Sequence, residues 1–278
     1  FLQSANIEKG LMTLVDEARQ AELASLMQDH LVGSKRSSGG SACNSIIAAS
    51  YFGAKTYYSC KVANDDNGLF FQHDTQVAGV KTSETSLPAG TTGKCLVMIT
   101  PDAERTMNTF LGISAELDES QLNAEAITQS EYLYLEGYLV TSPTGKQAAI
   151  KARKLAEQNN VKTSISLSDP GMVQFFAEGL QEMIGEQVDL IFCNQDEALG
   201  WTKTDNIEHA AEAMKKSAKT FAITLGKEGA LVFDGQTLSR IEGEQANAID
   251  TNGAGDMFAG AFLYAITHGQ TFPEAARL

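Results

Sequence analysis

The chain has 278 residues, of which 43% are hydrophobic and 20% charged, and its formal net charge is -14 with a pI of about 4.7. The length and composition fit one folded α/β domain and argue against a disordered chain. The negative charge argues against a nucleic-acid partner or an anionic membrane partner. The four cysteines are scattered, with no C-x-x-C pair, which favours reduced thiols. The sequence shows no signal peptide and no apolar run long enough to span a membrane, so we expect a cytoplasmic protein.

The first part of the chain predicts helices around one strand. Apolar residues at helical spacing over 16–28 predict a helix that Asp16 caps, with Leu23, Leu26 and Met27 on its buried face. Further along, the pattern predicts helices over 45–51 and 65–74 and a strand over 55–62.

Residues 80–107 have a different character. Ser, Thr and Gly are frequent, and 95–99 is a short apolar run. This pattern favours β-hairpins that are partly exposed.

From residue 132 onward, short apolar runs alternate with helical patterns. Pro143 and Pro170 each stand at a first helical position, and Asn206 is a typical cap. The predicted strands are 132–135, 163–167, 188–193 and 221–225, and a hairpin at 230–240 turns at Asp234-Gly235. Such alternation predicts a mainly parallel sheet with helices on both faces, whose ligands bind beyond the carboxyl ends of the strands.

The stretch D-T-N-G-A-G-D at 250–256 precedes an apolar run with helical spacing. It predicts a loop opening into a helix N-terminus, where backbone N–H groups and a partial positive charge attract anions. Small residues at Gly253, Ala254 and Gly255 would let a phosphate come close. The carboxylate of Asp256 could take a proton from an attacking hydroxyl, or it could be an ordinary acidic residue of a first helical turn.

Four motifs in order resemble those of the ribokinase-like (PfkB) carbohydrate and nucleoside kinases. The string at 250–256 is similar to the family's C-terminal signature, and G-G-S-A-C-N at 39–44 matches its G-G-x-x-x-N. Between them, N-Q-D-E at 194–197 resembles its N-x-x-E, and T-L-G-K-E-G at 224–229 resembles its T-x-G-x-x-G. The resemblance implies a doubly wound, mainly parallel α/β sheet with helices on both faces and a small β-rich lid.

Within the family, L-E-G-Y at 135–138 and R-T-M at 105–107 look closest to the adenosine-kinase-like branch. The resemblance implies one kinase domain over 1–278, with a lid formed mainly by about 80–107 and part of 7–35. No strand with an acidic residue begins the chain, and the chain stops shortly after the signature helix. We therefore expect both ends to be incomplete.

The same resemblance implies roles for individual residues in a kinase that uses ATP and Mg²⁺. Asp256 would be the catalytic base, and the amides of Gly253, Ala254 and Gly255 would stabilise the transferred phosphoryl group. The nucleotide side would comprise Asn194, Glu197, Thr224, Gly226 and Asn252, and the acceptor side Gly39, Gly40, Asn44, Glu136 and Arg105.

Two cation sites follow from the resemblance. Asn194 and Glu197 would bind Mg²⁺, directly or through water, because a hard cation prefers oxygen ligands and keeps several waters. Asp250 and Asn252 match positions that line a monovalent-cation site in some family members, which makes K⁺ a second candidate cofactor.

Several of these residues also have a structural interpretation. Asn194 could cap the helix that follows it, and Glu136 could be a structural partner in the core. Thr224 and Gly226 could be a strand end and a turn, and Arg105 could be a solvated surface arginine.

The sequence favours an ATP-dependent kinase that phosphorylates a primary hydroxyl of an adenosine-like nucleoside. The closest alternative is a sugar kinase with a ribose- or fructose-like acceptor, and a nucleotide-binding protein without turnover is a third. A dinucleotide-binding oxidoreductase is disfavoured because 253–256 lacks the third glycine of G-x-G-x-x-G. The protein would be a monomer or a homodimer formed through the lid.

Overall fold

The computed structural model describes residues 2–9, 12–27, 35–83, 87–100, 105–245, 251 and 253–278. The helices of this described part are α1 (Glu17–Leu26), α2 (Ser41–Phe52), α3 (Asp66–Val77), α4 (Ala124–Thr128), α5 (Pro143–Gln158), α6 (Pro170–Phe175), α7 (Ala177–Ile184), α8 (Gln195–Thr202), α9 (Ile207–Met214), α10 (Ala254–Thr267) and α11 (Phe272–Ala275). The strands are β1 (Met12–Leu14), β2 (Thr56–Tyr58), β3 (Val80–Thr82), β4 (Thr92–Ile99), β5 (Arg105–Gly112), β6 (Tyr132–Glu136), β7 (Lys162–Ser166), β8 (Val188–Asn194), β9 (Ala218–Thr224), β10 (Ala230–Phe233) and β11 (Leu238–Ile241). Short 3₁₀ turns occur at Ile113–Glu116, Glu119–Gln121, Gly137–Thr141 and Gly226–Glu228.

A mixed sheet organises the larger part of the molecule. Within the described residues its strand order is β11-β10-β9-β8-β7-β6. β6 to β9 run parallel, and β10 is antiparallel to both of its neighbours. The four parallel strands therefore end at one edge of the sheet, where the register places Asn194 opposite Thr224 and Glu136 opposite Ser166.

Side chains of the central strands alternate between two hydrophobic cores, one on each face of this sheet. Leu190 and Phe192 of β8 pack with Phe262 of α10, whereas Ile191 and Cys193 of the same strand belong to the opposite core. That opposite core is completed by α5, α7, α8 and α9. The predicted α/β fold with helices on both faces is thus confirmed.

The crossing of α2 and α10 brings two helix N-termini side by side. Gly260 lies at the crossing, where a Cβ atom would come within 2.2 Å of the Ser45 carbonyl oxygen and 2.7 Å of the Ala48 Cβ. Because these contacts are with backbone and a helix-bound methyl, only glycine permits this spacing. The crossing fixes where Asp256, one turn before Gly260, stands relative to α2.

A smaller sheet with the order β1-β5-β4 forms a separate layer. β4 and β5 are an antiparallel hairpin, and β1 runs parallel to β5. One face of this sheet packs on α1, where Leu23 and Met27 meet Met98 and Leu96. We call this unit, α1 with β1, β4 and β5, the small layer.

The opposite face of the small layer carries exposed apolar side chains. They are Met12 and Leu14 of β1, Val97 and Ile99 of β4 and Leu111 of β5, each between 37% and 55% exposed. No packing partner covers this face among the residues that the structure describes. An exposed apolar surface of this kind is typical of a binding face.

The local signals predicted helix starts well. Asp16, Ser142 and Asn206 each accept a hydrogen bond from a first-turn N–H of the helix that follows them, and Pro143 stands at the first helical position. No helix of the described residues is long and apolar enough to cross a membrane.

Some predicted elements were wrong in extent or partner. Leu26 is 52% exposed rather than buried, because α1 meets only the narrow sheet of the small layer. The strand predicted over 55–62 is limited to β2, and the helix begun at Pro170 breaks after Phe175 before α7. β3 is not part of a hairpin, because it pairs in parallel with β2 in a separate two-stranded sheet.

Candidate active site

The candidate catalytic carboxylate, Asp256, lies in the first turn of α10 and is held from α2. Ser41 Oγ donates to Asp256 Oδ1 at 2.7 Å, and Asn44 Nδ2 donates to Asp256 Oδ2 at 2.9 Å. Both carboxylate oxygens are therefore bound by neutral donors from a single helical turn. In the described residues no Lys or Arg forms an ion pair with this carboxylate.

Glu136 closes the other side of the α2 N-terminus. The cap residue Gly40, at a φ of 108°, has no side chain, and the Glu136 carboxylate instead accepts the backbone N–H of Ala42 at 2.8 Å. Burial raises the pKa of Glu136, the Ala42 hydrogen bond opposes that rise, and the charge of Asp256 adds to it. Glu136 thus has the structural role of capping α2, at a position beside the catalytic candidate.

Glycines of three motifs border open space. A Cβ atom built on Gly39, Gly226 or Gly255 would meet nothing within 4 Å, whereas one on Gly260 would collide with backbone. At Gly253, with a φ of 74°, a Cβ atom would lie 3.6 Å from Asn44 Nδ2 and 3.7 Å from Asp256 Oδ2. A ligand can therefore approach the backbone at these glycines, beside the Asp256 carboxylate.

The start of α10 has the geometry expected of an anion-binding turn. Its cap residue Gly253 is in the left-handed conformation, which a larger side chain would disfavour. The Ala254 N–H donates to the Thr251 carbonyl at 3.2 Å, and the Gly253 carbonyl accepts from Met257 N–H at 2.8 Å. These bonds fix the turn while the positive end of the helix dipole points toward the open side.

Asn194 and Glu197 form a reciprocal capping box at the edge of the main sheet. The Glu197 N–H donates to Asn194 Oδ1 at 2.8 Å, and the Glu197 carboxylate accepts from the Asn194 N–H at 3.0 Å and Nδ2 at 2.7 Å. Thr224 ends the neighbouring strand, directly opposite Asn194 in register. The capping interpretation of Asn194 is therefore confirmed, and its amide also lies at the carboxyl edge of the parallel strands, next to Thr224.

Glu197 is 4% exposed, and its burial raises the pKa of its carboxyl to about 7. The Asn194 N–H lowers this pKa, while the nearby carboxylates of Asp169 and Asp196 raise it further. An acidic group in such surroundings is stabilised by an added cation. Among the described residues, no three acidic, His or Cys side chains could hold a metal ion directly. The residues therefore fit Mg²⁺ held largely through water, with carboxylates in its outer sphere.

The structure brings most of the predicted residues together in two groups. Gly39, Gly40, Asn44 and Glu136 lie with Asp256, and Asn194, Glu197, Thr224 and Gly226 lie at the ends of β8 and β9. Three predictions fall outside the described part of the chain: Asp250 and Asn252 are not among the described residues, and neither is the side chain of Arg105.

Ser41 was missed as a functional candidate although it lies inside the G-G-x-x-x-N motif. The sequence did hold one indication of its role, which is its position. Ser41 is the first residue of α2 after Gly40, at the helix N-terminus where a ligand is expected. The partner could not be predicted, because Ser41 and Asp256 are 215 positions apart in the chain.

A family model and similar proteins place the chain in the same family of kinases. The family model of the pfkB family carbohydrate kinases matches residues 18–278. Adenosine kinase 1 of Arabidopsis thaliana is 29% identical over 267 residues, covering 86% of this chain and 75% of the relative.

Two solved structures are similar over nearly the whole chain. The adenosine kinase of Sinorhizobium meliloti superposes with a TM-score of 0.91 at 33% identity, covering 99% of this chain and 84% of that one. A probable sugar kinase of Rhizobium etli superposes with a TM-score of 0.92 at 32% identity, covering 100% and 84%. The resemblance predicted from the four motifs is confirmed: the chain belongs to the pfkB family of carbohydrate kinases, and it is a kinase.

Proposed function

We propose that this kinase transfers a phosphoryl group from ATP to the primary hydroxyl of an adenosine-like nucleoside. The observation that carries the proposal is the Asp256 carboxylate, held at the start of α10 beside glycines that border open space. A carboxylate at the positive end of a helix is suited to receive a proton from a hydroxyl that attacks a bound phosphate.

Each part of the site has a role in this transfer. Asp256 accepts the proton of the acceptor hydroxyl, and the backbone at Gly253, Ala254 and Gly255 stabilises charge on the transferred group. Phosphoryl transfer also requires that the reacting groups are held in position, and the close α2–α10 crossing holds Asp256 in place. Gly39, Gly40 and Asn44 would receive the acceptor, with Glu136 holding the α2 N-terminus in place.

On the nucleotide side, Thr224 and Gly226 would contact ATP at the carboxyl edge of the sheet, next to Asn194. Asn194 and Glu197 would hold Mg²⁺ through water, and the ion would neutralise charge on the phosphates. Roles for Arg105, Asn252 and Asp250, including a K⁺ site, remain part of the proposal as predicted from the motifs.

The nucleoside is favoured over a free sugar by the exposed apolar face of the small layer. A sugar offers few apolar atoms, whereas a base adds a large flat face that Val97, Ile99 and Leu111 could cover. Two of the similar proteins are adenosine kinases, which agrees with this choice. The probable sugar kinase among the similar structures keeps a ribose- or fructose-like acceptor as the second candidate.

The proposal is tested by incubating the protein with Mg²⁺-ATP and adenosine and identifying the products. We expect ADP and the 5′-monophosphate in equal amounts, with 5′-deoxyadenosine, which has no primary hydroxyl, giving neither. Absence of both ADP and a phosphorylated product with every nucleoside and sugar tested would contradict the proposal and favour a nucleotide-binding protein without turnover. ADP formed without a phosphorylated acceptor would also contradict it, because that result is ATP hydrolysis.

A further inference from the structure

The two side chains that donate hydrogen bonds to Asp256 differ in how freely they can move when an acceptor binds. Asn44 Nδ2 occupies Oδ2, and the same amide lies among the residues that would receive the acceptor. Ser41 Oγ occupies Oδ1 from the first residue of α2. A carboxylate has about four lone-pair sites, and these two donors use two of them, so the acceptor hydroxyl can reach Oδ2 beside the Asn44 amide or in its place.

The serine is the more firmly placed of the two donors. Its backbone begins α2, the next N–H is bound to Glu136, and its own carbonyl accepts from Ser45 Oγ at 3.1 Å. Its side chain has a single rotatable bond to the hydroxyl oxygen, whereas the Asn44 amide has two bonds along which to turn toward a ligand.

We propose that Ser41 is a positioning residue for the catalytic base: its hydroxyl holds Asp256 Oδ1, so that Oδ2 faces the acceptor hydroxyl. This inference rests on the proposed function. In the step itself, the acceptor O–H bond breaks, its proton goes to Oδ2 of Asp256, and the acceptor oxygen forms the new bond to phosphorus as ADP leaves.

The uncharged character of the donor matters for this role. A lysine or arginine at this position would pair with the carboxylate and compete with the proton that the base must accept. A hydroxyl fixes the direction of the carboxylate without adding a positive charge, so Oδ2 stays aimed at the acceptor and stays able to accept its proton.

The test compares Ser41→Ala and Ser41→Thr in the wild-type and Asp256→Ala backgrounds. We expect Ser41→Ala to lower kcat about tenfold, with KM for ATP and adenosine within about twofold, because the loss is in orientation of the base. Ser41→Thr keeps the hydroxyl and should restore most of kcat. In the Asp256→Ala background, Ser41→Ala should cause no further loss, since there is no carboxylate left to orient.

Ser50→Ala is the matched control on the same helix. It removes a hydroxyl that donates to the Ala78 carbonyl at 2.8 Å, near the far end of α2, and should leave kcat unchanged. An equal loss from Ser41→Ala with and without Asp256, or an unchanged kcat in the wild-type background, would overturn the inference while leaving Asp256 as base. A full kcat in Asp256→Ala would overturn the base itself and the inference with it.

Discussion

At the scale of single residues, the site depends on how two acidic side chains are hydrogen-bonded. Asp256 is bound by two neutral side chains from another helix, and Glu197 is bound by its own helix cap. The first arrangement directs a carboxylate toward an open space, and the second buries one beside other acids. These differences lead to two separate predictions.

Asp256→Ala should lower kcat by at least about 100-fold and change the affinity for ATP by no more than a few-fold, because only the base is removed. Initial rates of ADP formation with adenosine give kcat, and equilibrium titration with ATP gives the affinity. Near-wild-type turnover in this variant would remove Asp256 from the mechanism.

Glu197→Gln should change how stability depends on pH. The folded-state pKa of Glu197 is about 7, against an ordinary value of 4.5, so the folded protein favours the neutral carboxyl. Stability from this group is present at low pH and is lost as pH rises from about 4.5 to about 7, since the folded state binds the extra proton. The variant should therefore gain about 2–3 kcal/mol on the wild type between pH 5 and pH 8.

Urea unfolding at several pH values, without nucleotide or Mg²⁺, measures this difference. Glu274→Gln is the matched control, because Glu274 occupies the same capping-box position in α11 but is exposed, and its hydrogen bonds to Thr271 lower its pKa. Parallel stability curves for the wild type and Glu197→Gln would show that burial does not retain the proton on Glu197.

At the scale of elements, the crossing of α2 and α10 positions Asp256 against Ser41 and Asn44. Gly260→Ala should destabilise the protein by about 1–3 kcal/mol, because the new methyl group overlaps the Ser45 carbonyl. It should also lower kcat, since separating the helices moves Ser41 and Asn44 away from Asp256.

Gly200→Ala in α8 is the control for Gly260→Ala. Its methyl would meet only Val173 Cγ1, at 3.2 Å, and alanine is the better helix former, so we expect a stability change near zero. Urea unfolding and kcat are measured for both variants. Unfolding midpoints that are the same for Gly260→Ala and the wild type would show that the close crossing is not required.

Movement of the small layer gives the next prediction. If its apolar face closes over the acceptor, backbone amides of β4 and β5 should exchange with solvent more slowly when adenosine is bound, since closure excludes water. Hydrogen exchange followed by mass spectrometry measures this, with peptides of β8 in the main sheet as the internal control. Equal protection of β4 and β5 with and without acceptor would count against closure.

Helix starts could be predicted from the sequence because they depend on residues that are neighbours in the chain. Caps at Asp16 and Asn206 and the helix start at Pro143 depend on neighbouring residues, and all three were predicted. Pairing was harder, because a strand's partner is set by residues distant in the chain. β3 joined β2 instead of a hairpin, and nothing in the composition of 80–107 could indicate that partner.

The same limit applies to the site. The motifs predicted Asp256, Asn194 and Thr224 because each follows or ends a recognisable strand or opens a helix. The hydrogen bonds of Ser41 and Glu136 to distant elements could not be predicted, since they depend on the close helix crossing and the sheet edge.

At the scale of the whole molecule, the proposed function assigns different parts of acceptor recognition to the two layers. The main sheet with α2 and α10 would supply the base, the anion-binding turn and the nucleotide edge, which would serve a sugar or a nucleoside equally well. The small layer would supply an apolar surface that only an acceptor with a base can use fully. Acceptor preference is therefore the property that we expect to depend on both layers.

The most direct test is the ratio of kcat/KM for adenosine to kcat/KM for ribose, measured with Mg²⁺-ATP under one set of conditions. Both acceptors carry a ribose with a primary hydroxyl, and they differ by the base. We predict a ratio well over tenfold in favour of adenosine, or more than about 1.4 kcal/mol of differential transition-state binding. If ribose or fructose equals or exceeds every nucleoside, the nucleoside assignment is contradicted, and the protein is a sugar kinase with the same base.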